Sequence, residues 1–416
     1  MRVLIAPDSF KGSLGAAAAA AALAQGWLSV RPGDQVTRLP LADGGEGTLD
    51  VLAATVPGAR WHRARVTGPA GARVIADWLE LPGRGDGTPG GPPLASIAAD
   101  PTPAHARSGT PPQVSTAVVE LARASGLPLL ARPDPMGAQT TGLGELLGRA
   151  LDAGVGRILI GLGGSAATDG GTGALAALGG RFLDGGGQPL APGGGAMADL
   201  AAVDLSGLRA PPAGGVICLT DVTAPLLGPR GAAAVFGPQK GADGTQIARL
   251  EAGLARLAEV LGGDPAAPGA GAAGGTGYGL AAAWGAALTP GAAELCRLAG
   301  LDRALAGADL VITGEGRFDE TSLIGKTCGT VIAAAAAAGV PVAVVAGQVS
   351  DALAGPGPGP GPADAGVPGG LPAPVAVVTL TALAGSTAAA LARPRRWLRE
   401  AGGRLASDIG AERSRR

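Results

Sequence analysis

Three lysines are the first residues that could do chemistry in this 416-residue chain. Lys11, Lys240 and Lys326 are the only lysines among 32 basic residues, and glycine lies within two positions of each. A lysine carries a compact ammonium on a flexible stem, which the planar guanidinium of arginine does not imitate. Lysine beside glycine-rich backbone is typical of phosphate binding. We therefore expect the three ammonium groups to meet anionic ligand groups; the alternative is that they are ordinary surface lysines.

A pair of carboxylates could hold a metal ion. Asp43 and Glu46 are three residues apart in Ala-Asp-Gly-Gly-Glu-Gly-Thr (42–48), where glycine lets the backbone come close to a ligand. Such a pair can bind Mg²⁺ or transfer protons. The same pattern also fits the start of a helix with Glu46 near its N-terminus.

A second acidic segment carries Glu315 and Asp319 on either side of Arg317 and leads to Lys326. The stretch that ends in Gly-Lys-Thr resembles the end of a phosphate-binding P-loop. Glu320 stands where that motif requires glycine, so the P-loop assignment fails.

A glycine-rich loop at 161–171 directly follows a predicted strand at 157–160. Backbone N–H groups in such a loop can cradle phosphate, and Gly163, Gly164 and Ser165 are the candidates. The same segment formally matches the dinucleotide fingerprint G-x-G-x-x-A, and Asp184 lies near the distance of the usual ribose-binding acid. This match, which is weak in a chain with 75 glycines, is the basis of an alternative: a nicotinamide-dependent oxidoreductase of a small hydroxy acid.

Two aspartates are candidates for the catalytic base. Asp169 lies inside the glycine-rich loop, and Asp221 follows a predicted strand at 216–219. The two histidines, His62 and His105, lie outside every motif, which argues against nucleophilic catalysis based on histidine.

The elements that must position these residues are short apolar runs, each followed by a glycine-rich turn and an alanine-rich stretch. The strand candidates are 3–5, 118–121, 157–160, 216–219, 310–312, 342–345 and 375–378. Such alternation predicts βα units on parallel sheets, with ligands bound beyond the carboxyl ends of the strands. Alanine runs at 16–22 and 333–338 predict helices. The segments 82–112 and 355–374 are rich in Pro and Gly and are expected to be surface loops.

Composition excludes several classes of protein. A formal net charge of −1 gives no electrostatic footprint for nucleic acid. No uninterrupted apolar run reaches the roughly 18 residues of a membrane span. The three cysteines are widely separated, which indicates neither disulfides nor a zinc site. We expect a cytoplasmic protein, and its length favours two domains.

Six segments, taken in order, resemble the bacterial glycerate kinases of the first type. They are Ala-Pro-Asp-Ser-Phe-Lys-Gly-Ser (6–13), Ala-Asp-Gly-Gly-Glu-Gly-Thr (42–48), Gly-Gly-Ser-Ala (163–166), Asp-Val-Thr (221–223), Phe-Gly-Pro-Gln-Lys-Gly (236–241) and Gly-Glu-Gly-Arg (314–317). The resemblance implies ATP-dependent phosphorylation of D-glycerate, with the 2-hydroxyl favoured and the 3-hydroxyl left open. Thr168 and Ala224 depart from the family pattern, in which asparagine is expected at both positions.

The resemblance also implies two α/β domains with parallel sheets, one inserted in the other, and a site in the cleft between them. We predict one domain from residues 1–58 and 290–416 and an inserted domain from 59–289. The expected partners are D-glycerate and ATP, and a homodimer is left open.

The site residues fall into three predicted groups. The catalytic group is Lys11, Asp169, Asp221 and Lys240. The group that binds substrate or phosphate is Ser9, Gly163, Gly164, Ser165, Arg317 and Lys326. The group that binds Mg²⁺ is Asp43, Glu46, Glu315 and Asp319. A non-catalytic nucleotide or sugar-acid binding protein is a further alternative, but the many carboxylates in these loops argue against it.

Overall fold

The computed structural model describes residues 1–10, 12–83, 114–323, 325–350, 353 and 374–414. Lys11 lies outside the described residues, as do His105 and nearly all of the two segments predicted as surface loops.

The first sheet is parallel and combines strands from both ends of the chain. Its strands are, in spatial order, β13 (Ala376–Thr379), β12 (Val342–Val349), β11 (Leu310–Phe318), β1 (Arg2–Ile5) and β2 (Gln35–Arg38).

The second sheet comes from the middle of the chain and is mixed. Its strands are, in spatial order, β10 (Ala287–Pro290), β9 (Val216–Thr220), β6 (Arg157–Gly161), β5 (Thr116–Glu120), β4 (Arg73–Leu81) and β3 (Arg60–Thr67). The strands β10, β9, β6 and β5 are parallel, whereas β4 and β3 pair antiparallel. A small antiparallel pair, β7 (Arg181–Asp184) and β8 (Leu200–Asp204), lies apart from both sheets.

Helices connect most of the strands. The α-helices are α1 (Ala16–Val30), α2 (Thr48–Thr55), α3 (Leu121–Ser125), α4 (Thr141–Asp152), α5 (Thr172–Ala177), α6 (Ala232–Phe236), α7 (Gly244–Leu261), α8 (Ala272–Trp284), α9 (Gly291–Ala299), α10 (Leu301–Leu305), α11 (Thr327–Ala337), α12 (Leu380–Ala384), α13 (Thr387–Ala392) and α14 (Pro394–Ser414). Short 3₁₀ helices occupy Leu127–Leu129, Gly194–Asp199, Pro238–Lys240 and Glu320–Leu323. Among the helices of the described residues, none is long and apolar enough to cross a membrane.

The core follows from the apolar runs of the central strands. Successive side chains of a strand point to opposite faces of its sheet. In β1, Val3 and Ile5 therefore pack in one buried cluster with α1 and α14, while Leu4 packs in another with α10 and α11. Covering both faces of the strand with helices explains why this run has no polar residue.

The α/β architecture with parallel sheets confirms the predicted fold class, and each of the seven predicted strands corresponds to an observed one. The run at 118–121 needs one correction, because its strand ends at Glu120 and Leu121 begins α3. The division into two domains at residues 58 and 290 stays a prediction.

Candidate active site

Two neighbouring cavities lie at the carboxyl ends of the parallel strands and share the lining residues Ser9, Phe10 and Ser13. The smaller has a volume of about 300 Å³ and lies at the first sheet. The larger, about 1070 Å³, lies between loops of both sheets. Every predicted site residue in the described part of the chain, except Asp169, lines one of them.

The predicted residues divide between the two cavities. The smaller is lined by Ser9, Asp43, Glu315, Arg317, Asp319 and Lys326. The larger is lined by Ser9, Glu46, Gly163, Gly164, Ser165, Asp221 and Lys240. Of the predicted magnesium ligands, Asp43, Glu315 and Asp319 line the smaller cavity and Glu46 lines the larger.

The wall of the smaller cavity that follows β1 is held by Asp8. Its backbone N–H donates to the carbonyl of Gly314 at 2.8 Å, and its Oδ2 accepts a hydrogen bond from Thr327 Oγ1 at 2.7 Å. These contacts tie the loop after β1 to β11 and to the first residue of α11. Asp8 lines this cavity, although it is not among the site residues predicted from the sequence.

The carboxylates of the smaller cavity have contrasting environments. Burial raises the pKa of the Glu315 carboxyl, and Glu315 Oε1 is buried with no hydrogen-bond partner among the described residues. Asp319 Oδ1 accepts hydrogen bonds from the Thr321 hydroxyl at 2.6 Å and from its backbone N–H at 3.0 Å. The side-chain bond is the main cause of the lowered pKa of Asp319.

Two cationic side chains complete this cavity. Lys326 directly precedes α11, and its Nζ donates to Thr321 Oγ1 at 2.9 Å. The Arg317 side chain is 70% exposed, with its Nε 3.5 Å from Asp319 Oδ2. An ion pair this exposed contributes little to stability, so the guanidinium remains available to an anionic ligand.

The donor set of the smaller cavity fits Mg²⁺. Carboxylate oxygens are the ligands that this hard cation prefers, and Glu315 Oε1 is a buried acceptor that lacks a hydrogen-bond donor among the described residues. The described residues contain no group of three or more His, Cys, Asp or Glu side chains arranged to hold a metal. Mg²⁺ in nucleotide sites usually takes one or two carboxylates together with phosphate oxygens, so such a group is not required.

Loops of the two sheets pack closely at the larger cavity, because glycines lie where they touch. A Cβ atom on Gly161 would lie 2.4 Å from the carbonyl oxygen of Gly44, and one on Gly163 would lie 2.9 Å from Cα of Gly45. No side chain fits at either contact, so the 42–48 segment and the 161–171 loop pack backbone against backbone. Gly163, which the sequence assigned to phosphate binding, thus also sets the spacing between two walls of the site.

Ser165 uses its hydroxyl within the loop. Its Oγ accepts a hydrogen bond from the backbone N–H of Ala167 at 3.2 Å, and the side chain is buried. This bond fixes the turn of the loop.

Lys240 is the buried cation of the larger cavity. Its Nζ donates to the carbonyl of Ala167 and to Thr168 Oγ1, the latter at 3.4 Å. Burial lowers the pKa of Lys240 to about 8, and attraction to Asp169 opposes that change. A Cβ atom on Gly274 would lie 2.6 Å from Cα of Thr168 and closer still to the Ala167 carbonyl oxygen that accepts from Lys240, so glycine is needed at this backbone contact.

Asp169 and Asp221 occupy very different positions. Asp169 is fully buried, and its oxygens accept hydrogen bonds from Thr140 Oγ1 at 2.8 Å and from the backbone N–H groups of Thr140, Gly171 and Gly173. Asp221 is exposed in the larger cavity. This geometry favours a structural role for Asp169, in contrast to the predicted catalytic one, and leaves Asp221 as the candidate base.

An acidic network that was not predicted from the sequence lies at the edge of the larger cavity. Buried Glu120 accepts hydrogen bonds from the backbone N–H of Leu49 at 2.8 Å and from Arg123 Nε at 3.1 Å. Arg123 also donates to Asp50 at 2.6 Å. The available signal was the position of Glu120 at the carboxyl end of a parallel strand, directly after Val118 and Val119.

The dinucleotide fingerprint lacks its structural context. That motif requires a helix to begin within the glycine run, but α5 begins only at Thr172. Asp184, the predicted ribose-binding acid, lies in β7, outside the parallel sheet. The geometry therefore gives no support to a Rossmann-type nicotinamide site.

Comparison with known proteins identifies the relatives of this chain. The sequence model of a family described as the glycerate kinase family matches residues 3–359. The chain belongs to the glycerate kinase family. It is 42% identical over 360 residues to a glycerate kinase of Bacillus subtilis strain 168, covering 84% of this chain and 86% of that protein. It is 39% identical to a glycerate 2-kinase of Escherichia coli K12 over 361 residues, again covering 84% and 86%.

A solved structure agrees with the sequence relatives. The fold is similar to the crystal structure of a protein described as glycerate kinase 2 from Salmonella typhimurium LT2, with a TM-score of 0.72 and 34% identity. The match covers 100% of this chain and 99% of that one. This glycerate kinase family member is therefore an enzyme of the kinase class, which sets aside the oxidoreductase and the non-catalytic alternatives.

Proposed function

We propose that this enzyme transfers the γ-phosphoryl group of ATP to D-glycerate, with the 2-hydroxyl as the favoured acceptor and the 3-hydroxyl as the alternative. The observation that carries the proposal is the meeting of two cavities at Ser9. One cavity holds carboxylates and cations suited to a metal triphosphate, and the other holds a glycine-rich loop and an exposed aspartate. Phosphoryl transfer requires mainly such positioning and charge stabilisation.

The smaller cavity would hold the triphosphate. Lys326 and Arg317 would bind its oxygens. Lys11, between the lining residues Phe10 and Gly12 in sequence, is proposed to contact the transferred group. One or two of the carboxylates of Asp43, Glu315 and Asp319, together with phosphate oxygens, would hold Mg²⁺, which when bound offsets the negative charge of the phosphates. The role of Glu46 as a further ligand stays a prediction.

The part of the larger cavity next to Ser9 would hold glycerate. Its carboxylate needs a cation and backbone donors, and Lys240 with the Gly163–Gly164 backbone is proposed to supply them. The larger cavity has far more room than a three-carbon acid fills. Closure of its two walls around the substrates would exclude water that otherwise hydrolyses ATP. The division into domains 1–58 with 290–416 and 59–289 is part of this proposal.

Asp221 is proposed as the general base. Its carboxylate takes the proton of the glycerate hydroxyl while that oxygen attacks the γ-phosphorus. The bond from the γ-phosphorus to the β,γ-bridging oxygen breaks, and this oxygen leaves with ADP. The products are ADP and phosphoglycerate, and the proton on Asp221 is released to solvent.

The test is an assay of ADP release with D-glycerate, with L-glycerate and with no acid, followed by phosphorus NMR of the product. We expect ADP release that depends on D-glycerate and a signal from 2-phosphoglycerate. The Asp221→Asn variant should lose this activity and keep its circular dichroism spectrum. ADP release that is equal with and without D-glycerate would contradict the proposal, and a 3-phosphoglycerate signal would select the alternative acceptor.

A further inference from the structure

One wall of the smaller cavity carries no charge. It is built by Leu380 at the start of α12, by Ala390 and Leu391 of α13, and by Pro394 at the start of α14. The Leu391 side chain is 56% exposed, which makes it one of the large apolar residues that this fold leaves open to water. Aspartate, glutamate, arginine and lysine line the same cavity. The cavity therefore has one apolar and one ionic side.

A strip without side chains also lines the smaller cavity. Gly316 in β11 and Gly347 in β12 both line the cavity. The parallel register pairs Glu315 with Ala346 and Arg317 with Gln348, so the two glycines lie side by side. A Cβ atom on Gly347 would lie 2.3 Å from the carbonyl oxygen of Gly316, so this surface cannot carry a side chain there.

The apolar wall is fixed by bonds within the protein. Gln348 Nε2 donates to Thr387 Oγ1 at 2.6 Å and so attaches α13 to β12. Ser386 Oγ accepts from the backbone N–H of Ala389 at 3.2 Å, and Trp397 Nε1 donates to the carbonyl of Ala389 at 3.0 Å. The wall is thus formed before any ligand binds, which reduces the entropy lost on binding.

We infer that the purine base of the nucleotide donor binds in the smaller cavity, between the Gly316–Gly347 strip and the apolar wall of α12 to α14. This inference rests on the proposed function and assigns a base subsite to the same site. A base is a flat ring with apolar faces joined to a polyanion, and this cavity offers an apolar wall, a flat strip and cations together. Glycerate has three carbons that all carry oxygen, so it gains nothing from an apolar wall. The volume of about 300 Å³ lies at the lower end of the range for small-molecule sites.

The test compares Leu391→Ala with Leu129→Ala. Both leucines are exposed, and Leu129 lines only the larger cavity. Exposed positions tolerate such changes, so both variants should fold. The dissociation constants of Mg²⁺-ATP and of Mg²⁺-tripolyphosphate are measured by titration calorimetry for the wild type and both variants. Tripolyphosphate keeps the anionic chain and has no base.

We expect Leu391→Ala to weaken ATP binding about five- to tenfold, as losing roughly 50 Å² of apolar contact predicts. Tripolyphosphate binding should change less than about twofold, and Leu129→Ala should leave ATP binding unchanged. Unchanged ATP binding by Leu391→Ala, or equal weakening of both ligands, overturns the base subsite. Weakened ATP binding by Leu129→Ala instead would place the base in the larger cavity and overturn it as well.

The two proposals fail in distinguishable ways. If the wild type phosphorylates D-glycerate with ATP, but Leu391→Ala binds ATP as tightly as the wild type does, the base subsite alone is overturned. A wild type that binds no ATP and releases no ADP overturns the proposed function and this inference together.

Discussion

The ammonium of Lys240 should lose its proton near pH 8. It is buried and donates to the Ala167 carbonyl and the Thr168 hydroxyl. Burial lowers its pKa from the ordinary value of 10.5 to about 8. At about 1.4 kcal/mol for each pH unit, the folded protein disfavours the charged form by roughly 3.5 kcal/mol relative to the unfolded chain.

The composition of the chain makes this pKa measurable. With only three lysines in the sequence, lysine labelled with ¹³C at Cε gives three side-chain signals. The signal that disappears in a Lys240→Arg variant belongs to Lys240. We expect that signal to shift with a midpoint near pH 8. A midpoint at the ordinary lysine pKa of 10.5 would refute the reasoning.

The sign of the linked stability change follows from the same pKa. Between pH 8 and 10.5 the unfolded chain holds the Lys240 proton more tightly than the folded chain, so raising the pH through this window stabilises the fold. Relative to Lys240→Met, the wild type should gain about 2.5 kcal/mol of unfolding free energy between pH 7 and pH 10. Thr168→Val keeps the lysine and should keep this gain. Wild-type and Lys240→Met stabilities that run parallel across the window in urea denaturation would contradict the linkage.

The other predictions concern groups around the larger cavity. Asp221→Asn should lower kcat by about 10²- to 10⁴-fold, the usual contribution of a positioned base, with no change in Tm; a wild-type kcat would remove Asp221 from the mechanism. Asp169→Asn should lower the unfolding free energy by roughly 1–3 kcal/mol, because the amide has only one oxygen to accept hydrogen bonds and its NH₂ group would face N–H donors. Equal Tm values for this variant and the wild type would argue against a structural role. Gly161→Ala should reduce kcat/KM, because its Cβ would lie 2.4 Å from the Gly44 carbonyl. Gly185→Ala, whose Cβ would meet no atom within 4 Å, is the matched control, and equal losses in the two variants would contradict this explanation.

The sequence predicted the buried strands well because their apolar runs have one physical cause. Val3 to Ile5 and Val342 to Val345 are covered by helices on both faces, and that burial excludes polar residues. The edge strand Arg60–Thr67 was missed, because three arginines and a histidine within eight residues hide its alternation. Its strand character comes from pairing with Arg73–Leu81, which a local pattern does not reveal.

The sequence predicted residues that line the two cavities, but it did not predict the contacts that hold each of them there. Motifs at the carboxyl ends of parallel strands must face a common edge, so Glu315 and Asp221 could be assigned to the site from their positions. Whether an aspartate in such a loop faces the cavity or the core depends on which backbone N–H groups surround it. The sequence predicts Asp169 as catalytic and does not reveal that Thr140, distant in sequence, donates to its carboxylate in the interior.

The contact of Gly161 and Gly163 with Gly44 and Gly45 has a consequence for how such an enzyme tolerates change elsewhere. The two segments touch here through main-chain atoms, so their spacing depends on the absence of a side chain at Gly161 and Gly163. Exchanging the side chains around this junction should therefore change the spacing of the two walls less than replacing Gly161 or Gly163 would. We expect Gly161 and Gly163 to be retained in glycerate kinases whose neighbouring residues differ from those of this chain.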